Sequence, residues 1–233
     1  MSQLKIDTPS PVVFSKRSPI YRQQAGALFA ERDGAAIALQ VTDTESRAQL
    51  QQSALLDLSA TFRSGVRGRT ASQWLGQQQL PLPAQANQSV TTRDGELVLR
   101  LGNSELWILG NPLRDNSTLA KQLQSAPASA GCYPLSCQHS HSWFVLSGEC
   151  RSAVMAKLCG VDMRESVFGP GALAMTSVAR VSAIVVSHEL QGVPVFSILS
   201  DCTSATYMWQ ALLDALQEFG GSDAGIASLL PAN

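Results

Sequence analysis

The stretch from Leu55 to Pro83, LLDLSATFRSGVRGRTASQWLGQQQLPLP, leaves few folds open to this chain. Its apolar run (Leu55, Leu56, Leu58) reads as a short strand, a polar turn follows, and Val66 among arginines reads as a second strand. A helix then opens at Arg69 and Thr70, carries Trp74 and Leu75, stops at Gly76 and leaves through Pro81 and Pro83, where proline forbids its continuation. Such a unit has an apolar side that must be buried against another layer. By itself it names no chemistry.

The flanking sequence supplies that other layer. Ala35 to Val41 (AAIALQV) predicts a strand, and Thr42-x-x-Glu45 has the form of a capping box opening a helix through Leu50. Val90 to Thr92 and Glu96 to Leu101 flank Arg93-Asp94-Gly95, a hairpin signal in which the glycine supplies positive φ. Leu97, Leu99 and Leu101 alternate with Val98 and Arg100, which predicts one buried face. Glu105 to Leu109 reads as the next strand and Ser117 to Gln124 as a short helix with Leu119 and Leu123 on one face. The second half repeats this order without repeating the sequence. Trp143 to Leu146 predicts a strand, Glu149 to Cys159 a helix capped by Gly160, and Ala172 to Val178, Val181 to Val186 and Val193 to Leu199 three further strands; Thr203 to Phe219 predicts a long amphipathic helix. Both halves approximate βαββα, so the expected fold is α+β, two ferredoxin-like halves packed together. The expected division is an extended N-terminal arm over 1–24, a first half over 25–125, a linker over 126–141, a second half over 142–219 and a loose tail over 220–233.

Charge and cysteine usage narrow the class. A net charge of −1 with 15% charged residues provides no basic field for nucleic acid and no polybasic patch for a membrane surface. The low charged fraction suits a chain that leaves part of its surface inside a complex. No window is long and apolar enough for a spanning helix, and Met1 to Phe14 lacks the pattern of a secretory leader, which predicts a cytoplasmic protein. Five cysteines, an odd number, fit free thiols in a reducing compartment better than a disulfide framework. Cys150, Cys159 and Cys202 read as small buried apolar residues at helices.

Few residues offer chemistry. Cys132, Cys137, His139 and His141 are potential soft ligands, but they crowd into ten positions, whereas tetrahedral zinc sites draw ligand pairs from separated segments. They read as a polar linker, and no metal is expected. His188, between Ser187 and Glu189 at the predicted close of a strand, reads as a surface turn histidine and not as the base of a triad. No phosphate- or dinucleotide-binding glycine pattern occurs, and Gly169-Pro170-Gly171 reads as a turn. Arg63, Arg67 and Arg69 offer either a bidentate grip on a carboxylate, including an acidic partner surface, or a solvated edge strand that discourages sheet pairing.

Taken in order, Asp57-Leu58-Ser59, Arg67-Gly68 with Arg69-Thr70, Trp74-Leu75, Leu80-Pro81-Leu82-Pro83 with Asn87, Leu99-Arg100-Leu101-Gly102, Leu106 to Leu109 and Tyr207-Met208-Trp209 resemble the folate-dependent aminomethyltransferase family, the T-protein of glycine cleavage. Within it they look most like the small gamma subunits of heterotetrameric sarcosine oxidases. The resemblance covers most of Leu55 to Phe219. It implies two halves around a shared centre, and larger alpha- and beta-like flavoprotein subunits of an amine oxidase as partners. No cofactor is expected in this chain; FAD, FMN, NAD and tetrahydrofolate would belong to the partners. The chain departs from the transferases where they carry paired glycines and a working aspartate. Between Asn87 and Leu101 only Asp94 and Glu96 are acidic, and a hairpin explains Asp94. It also ends before the transferases' extra C-terminal domain. Gly131-Cys132-Tyr133 matches only part of the motif of the related folate-binding iron–sulfur repair proteins. The expectation is therefore a small subunit without catalytic residues that stabilises a sarcosine (secondary amine) oxidase complex. The alternative is a free-standing folate-binding protein or a degenerate transferase.

Overall fold

The computed structural model describes residues 10–43 and 45–230. In chain order the elements are β1 (Lys16–Arg17), β2 (Leu28–Arg32), β3 (Ala35–Gln40), α1 (Arg47–Gln52), β4 (Ala54–Asp57), β5 (Arg63–Arg67), α2 (Ala71–Gln77), β6 (Gln88–Thr91), β7 (Leu97–Arg100), β8 (Glu105–Leu109) and α3 (Ser117–Ser125). They continue with β9 (Tyr133–Leu135), β10 (His141–Ser147), α4 (Arg151–Leu158), β11 (Leu173–Val178), β12 (Val181–Leu190), β13 (Val193–Asp201), α5 (Ala205–Gln217) and β14 (Ser222–Ala224).

The internal repeat is visible in the strand orders. One sheet runs β6-β7-β8-β5-β9, the other β11-β12-β13-β10-β4-β14, and a small third sheet runs β1-β3-β2. Thus β5-α2-β6-β7-β8-α3 and β10-α4-β11-β12-β13-α5 follow one plan, βαββα with a strand added. Each half borrows from elsewhere in the chain. β9, from the stretch read as a linker, pairs antiparallel with β5, and β4, from the first half, pairs antiparallel with β10.

Alternating side chains split into three layers of core. Leu97 and Leu99 of β7, Trp107 and Leu109 of β8, Trp143 and Val145 of β10 and Ile184 and Val186 of β12 meet in one cluster between the two large sheets. Val98, Leu106 and Ile108 point the other way, onto Trp74 and Leu75 of α2 and Leu119 and Leu123 of α3. Phe144, Val185 and Ile198 likewise pack on Met155 of α4 and on Met208, Trp209 and Leu212 of α5. β7 is therefore buried on both faces, where the alternation predicted one, because its Val98 is apolar and a helix layer covers it. The two sheets touch at an edge: Leu173 N donates to Asn87 O at 3.1 Å and Ser89 N to Gly171 O at 2.8 Å.

Several boundaries shift for identifiable reasons. Glu45 does accept from the Val41 and Thr42 amides, the return half of a capping box. The helix itself starts later, with Ser46 as N-cap accepting from Gln49 N. Gly160 does not cap α4; that position is Cys159, whose amide donates to Met155 O. Both termini are more integrated than composition suggests. Ile20, in the segment read as an arm, is fully buried on the α4–α5 side of the sheet. In the segment read as loose, β14 pairs parallel with β4, and Ile226 and Leu229 close the central cluster beneath β3. Apolar side chains at those two positions cost free energy unless buried, and burial anchors the tail. The remainder of both segments, 1–9 and 231–233, lies outside the described residues. No helix among the described residues is long and apolar enough to cross a membrane.

Leu75 is fully buried in the cluster under α2, whereas Ser72 is only partly buried. Leu75→Ala is expected to cost roughly 2 to 5 kcal/mol and Ser72→Ala under about 0.5 kcal/mol in urea unfolding. Equal midpoints for the two variants would contradict this packing.

Candidate functional site

The polar groups with most to say lie on and around β5. Gly110 N donates to Phe62 O and Gly68 N to Ser104 O, so the even-numbered residues of β5 bond to β8 and the odd-numbered ones face β9. Leu135 and Tyr133 then pair through their backbones with Gly65 and Arg67, while Pro134, opposite Val66, turns its backbone outward. A proline there costs the ladder nothing and leaves the open edge of β9 with a carbonyl and no N–H.

β5 is thus interior, and its arginines do not form the solvated edge that was one reading of the sequence. Arg63 is only 2% exposed; its Nη2 donates to Gln138 O at 2.8 Å and His141 O at 2.6 Å. Its Nε and Nη1 are buried without a hydrogen-bond partner, and burial pulls the guanidinium pKa down to about 10. Asp57 is a buried carboxylate whose charge acts on it favourably; burial raises the Asp57 pKa against hydrogen bonds from Ser18 and Ser59. Arg67 reaches outward and pairs with Glu105 at 2.7 Å. Arg69 lies beyond the strand, its side chain laid along Gly131.

The Cys/His cluster disperses. Cys137 is buried against Gly65 and the Trp107 ring, and burial pushes its thiol pKa up to about 11. His141 stacks edge-on against Trp107 at 4.8 Å, and burial together with Arg63 lowers its pKa. Cys132 and His139 face a surface groove instead. Among the described residues no group of three or more His, Cys, Asp or Glu is placed to hold a metal ion.

His188 corrects its reading as a surface residue. β12 continues through it to Leu190, so His188 takes the core-facing register of Ile184 and Val186 and is 6% exposed. Trp143 Nε1 donates to Ser197 Oγ at 2.9 Å, the Ser197 hydroxyl donates to His188 Nε2 at 2.8 Å, and His188 Nδ1 donates to Glu189 O at 3.1 Å. The chain satisfies every member and keeps the imidazole neutral; burial lowers its pKa to about 4.

Asp94 and Glu96 serve their hairpin. Asp94 pairs with Arg114 at 2.6 Å in an exposed turn, its carbonyl accepts from Asn111 Nδ2, and Glu96 bonds Thr92. Neither faces the centre between the sheets.

What the sequence did not reveal is a groove over β5 and β9. Its main cleft, about 660 Å³, lies between α3, β5, β9 and the 126–132 segment, with Phe62, Val66, Trp74 and Leu123 as apolar walls. It continues past Ala128, Ser129, Cys132 and Pro134 into a shallower depression of about 940 Å³ beside Arg69 and Tyr133. At the other end Lys16, Phe62 and Gln138 lead to a recess of about 170 Å³ at Asp33. Its only local signal was the small-residue run Ala126 to Gly131, which reads as a linker because small residues leave room.

No family model matches the chain, and no curated protein matches its sequence. Its fold is shared by solved structures, of which two are informative. One is heterotetrameric sarcosine oxidase from Corynebacterium sp. U-96, in complex with pyrrole 2-carboxylate: TM-score 0.62 and 20% identity, covering 80% of this chain and 93% of that one. The other is the glycine cleavage system aminomethyltransferase T from Bartonella henselae: TM-score 0.71 and 19% identity, covering 92% of this chain and 60% of that one. This chain therefore spans 60% of the transferase's length. At these identities the likeness establishes the fold, the α+β arrangement of the aminomethyltransferase folate-binding domain.

Proposed function

We propose that this protein is a small, non-catalytic subunit of a hetero-oligomeric, cytoplasmic amine oxidase of the sarcosine oxidase type. In this reading it stabilises larger flavoprotein subunits, which carry FAD, FMN, NAD and tetrahydrofolate. One observation carries the reading: the fold matches a chain of a heterotetrameric sarcosine oxidase over 93% of that chain's length. The interior agrees with it. Trp107, Trp143, Leu99 and Val186 pack together between the sheets and His188, Ser197 and Trp143 hydrogen-bond one another there, which supports a reading in which this chain holds no folate of its own. The two acids weighed in the sequence are likewise engaged, Asp94 by Arg114 and Glu96 by Thr92. A subunit of this kind acts by linkage: surface it buries on the assembled form shifts the equilibrium toward that form.

The test is co-expression of the flavoprotein subunits with and without this chain, measuring complex size and sarcosine-dependent peroxide formation. Omission is expected to lower yield or stability of the assembly. Asp94→Ala and His141→Ala in the full complex are expected to keep turnover within about twofold. A loss of about a hundredfold from either of them, in a complex that still assembles, would place chemistry in this chain.

A further inference from the structure

The two halves differ in one respect that points to a partner. In the six-stranded sheet, the strand beside β10 is β4, and β4 is itself covered by β14, an extended segment running parallel to it. In the five-stranded sheet the equivalent strand is β9, beside β5, and nothing among the described residues pairs with its outer side. The fold thus contains a worked example of what covers this position: an extended segment. At β9 the position is flanked by the groove described above, and Tyr133 beside it is 65% exposed.

Charge selects among segments. The main cleft and the depression beyond it are lined by Lys16, Arg69 and His139, with Arg63 beneath, and neither is lined by any aspartate or glutamate. Lys16, Arg69 and His139 are exposed, so a carboxylate set against them gains pairing without the cost of deep burial. Between the charges the walls are Phe62, Val66, Trp74 and Leu123, a slot for one large apolar side chain. Pro134 shapes the backbone contact. Its outward carbonyl accepts a hydrogen bond but offers no N–H in return, so a bound segment is held mainly by its side chains and not by a full ladder.

We propose that the β9 groove is the docking surface for an extended, carboxylate-bearing segment of a partner subunit, with one apolar anchor seated against Trp74 and acidic side chains meeting Lys16 and Arg69. This deepens the reading of the chain as a subunit and rests on it. The edge without a sixth strand and the absence of carboxylates from the cleft and the depression beside β9, Asp33 lying only in the recess at the far end, are independent observations that select the same surface.

The experiment uses the full chain co-expressed with the flavoprotein subunits of its amine oxidase. Lys16→Glu combined with Arg69→Glu is expected to weaken co-assembly by about tenfold or more and to steepen its loss with salt. Arg180→Glu, at the β11–β12 turn of the other sheet, is expected to stay within about twofold. A photo-crosslinking residue at position 133 in the otherwise native chain is expected to capture a partner peptide rich in Asp and Glu; one at Met175, on β11, is not. If the wild-type chain assembles but the double variant, folded by its thermal midpoint, assembles equally well, or position 133 crosslinks no partner, the groove is not the docking surface and the subunit reading stands. If the wild-type chain fails to assemble with the flavoprotein subunits, both readings fall.

Discussion

Gly68→Ala is expected to abolish stable folding or to cost more than about 4 kcal/mol. Two terms add. Gly68 has φ +137, a conformation reserved for glycine, and a Cβ there would sit 2.0 Å from the Gly131 carbonyl oxygen, a backbone atom that cannot swing aside. The Gly68 amide also closes the end of β5 by donating to Ser104 O at 2.8 Å, so relieving the clash would undo the strand. Gly160→Ala is the control: its Cβ meets nothing within 4 Å and its φ is not positive, so the change is expected to be neutral or stabilising by up to about 1 kcal/mol. Urea unfolding of both variants decides it. A Gly68→Ala protein within about 1 kcal/mol of wild type would mean that 131 and 68 do not meet as described.

The same crossing of segments explains what could be read from the sequence and what could not. The unit from Leu55 to Gln77 was legible because its signals are local: apolar spacing, a helix-opening turn and a glycine–proline exit. The hairpin at Arg93-Asp94-Gly95 was legible for the same reason, with Gly95 at φ +88. Arg63 was not, because whether β5 is an edge depends on β9, which arrives from a stretch with linker composition. His188 carried a usable signal that its polar neighbours masked. Ile184, Val186, His188 and Leu190 alternate without a break, and the period of two continues past the histidine into the core. The tail was misjudged by averaging: small residues dominate 220–230, yet Ile226 and Leu229 alone decide where it goes. The groove had no sequence signature because it is a gap between segments, and its character comes from charges that are far apart in the chain and from the carboxylates absent among them.

His188 makes acid sensitivity the second large expected effect. In the folded protein its pKa is held down to about 4 by burial, while in the unfolded chain it returns to 6.5. Between those values the unfolded state binds the extra proton, so stability rises with pH across this window. The contribution is fully present above about pH 6.5 and is lost as pH falls toward 4, roughly 3 kcal/mol in all. Other buried groups pull in different directions. His141, also lowered by burial, adds to the acid sensitivity, whereas Asp57 and Asp223, both raised by burial, oppose it. The wild-type curve is therefore a sum, and the difference from a variant isolates the histidine. His188→Gln keeps a side chain able to meet the Ser197 hydroxyl but cannot take up a proton. Unfolding free energy measured at pH 7, 6, 5 and 4.5 is expected to fall more steeply for wild type than for His188→Gln, the two converging as pH drops. Glutamine's poorer fit is expected to lower the variant's stability at pH 7, so the informative quantity is the slope and not the intercept. Parallel curves would show that the imidazole already exchanges protons with solvent in the folded state, and would remove His188 from the interior between the sheets.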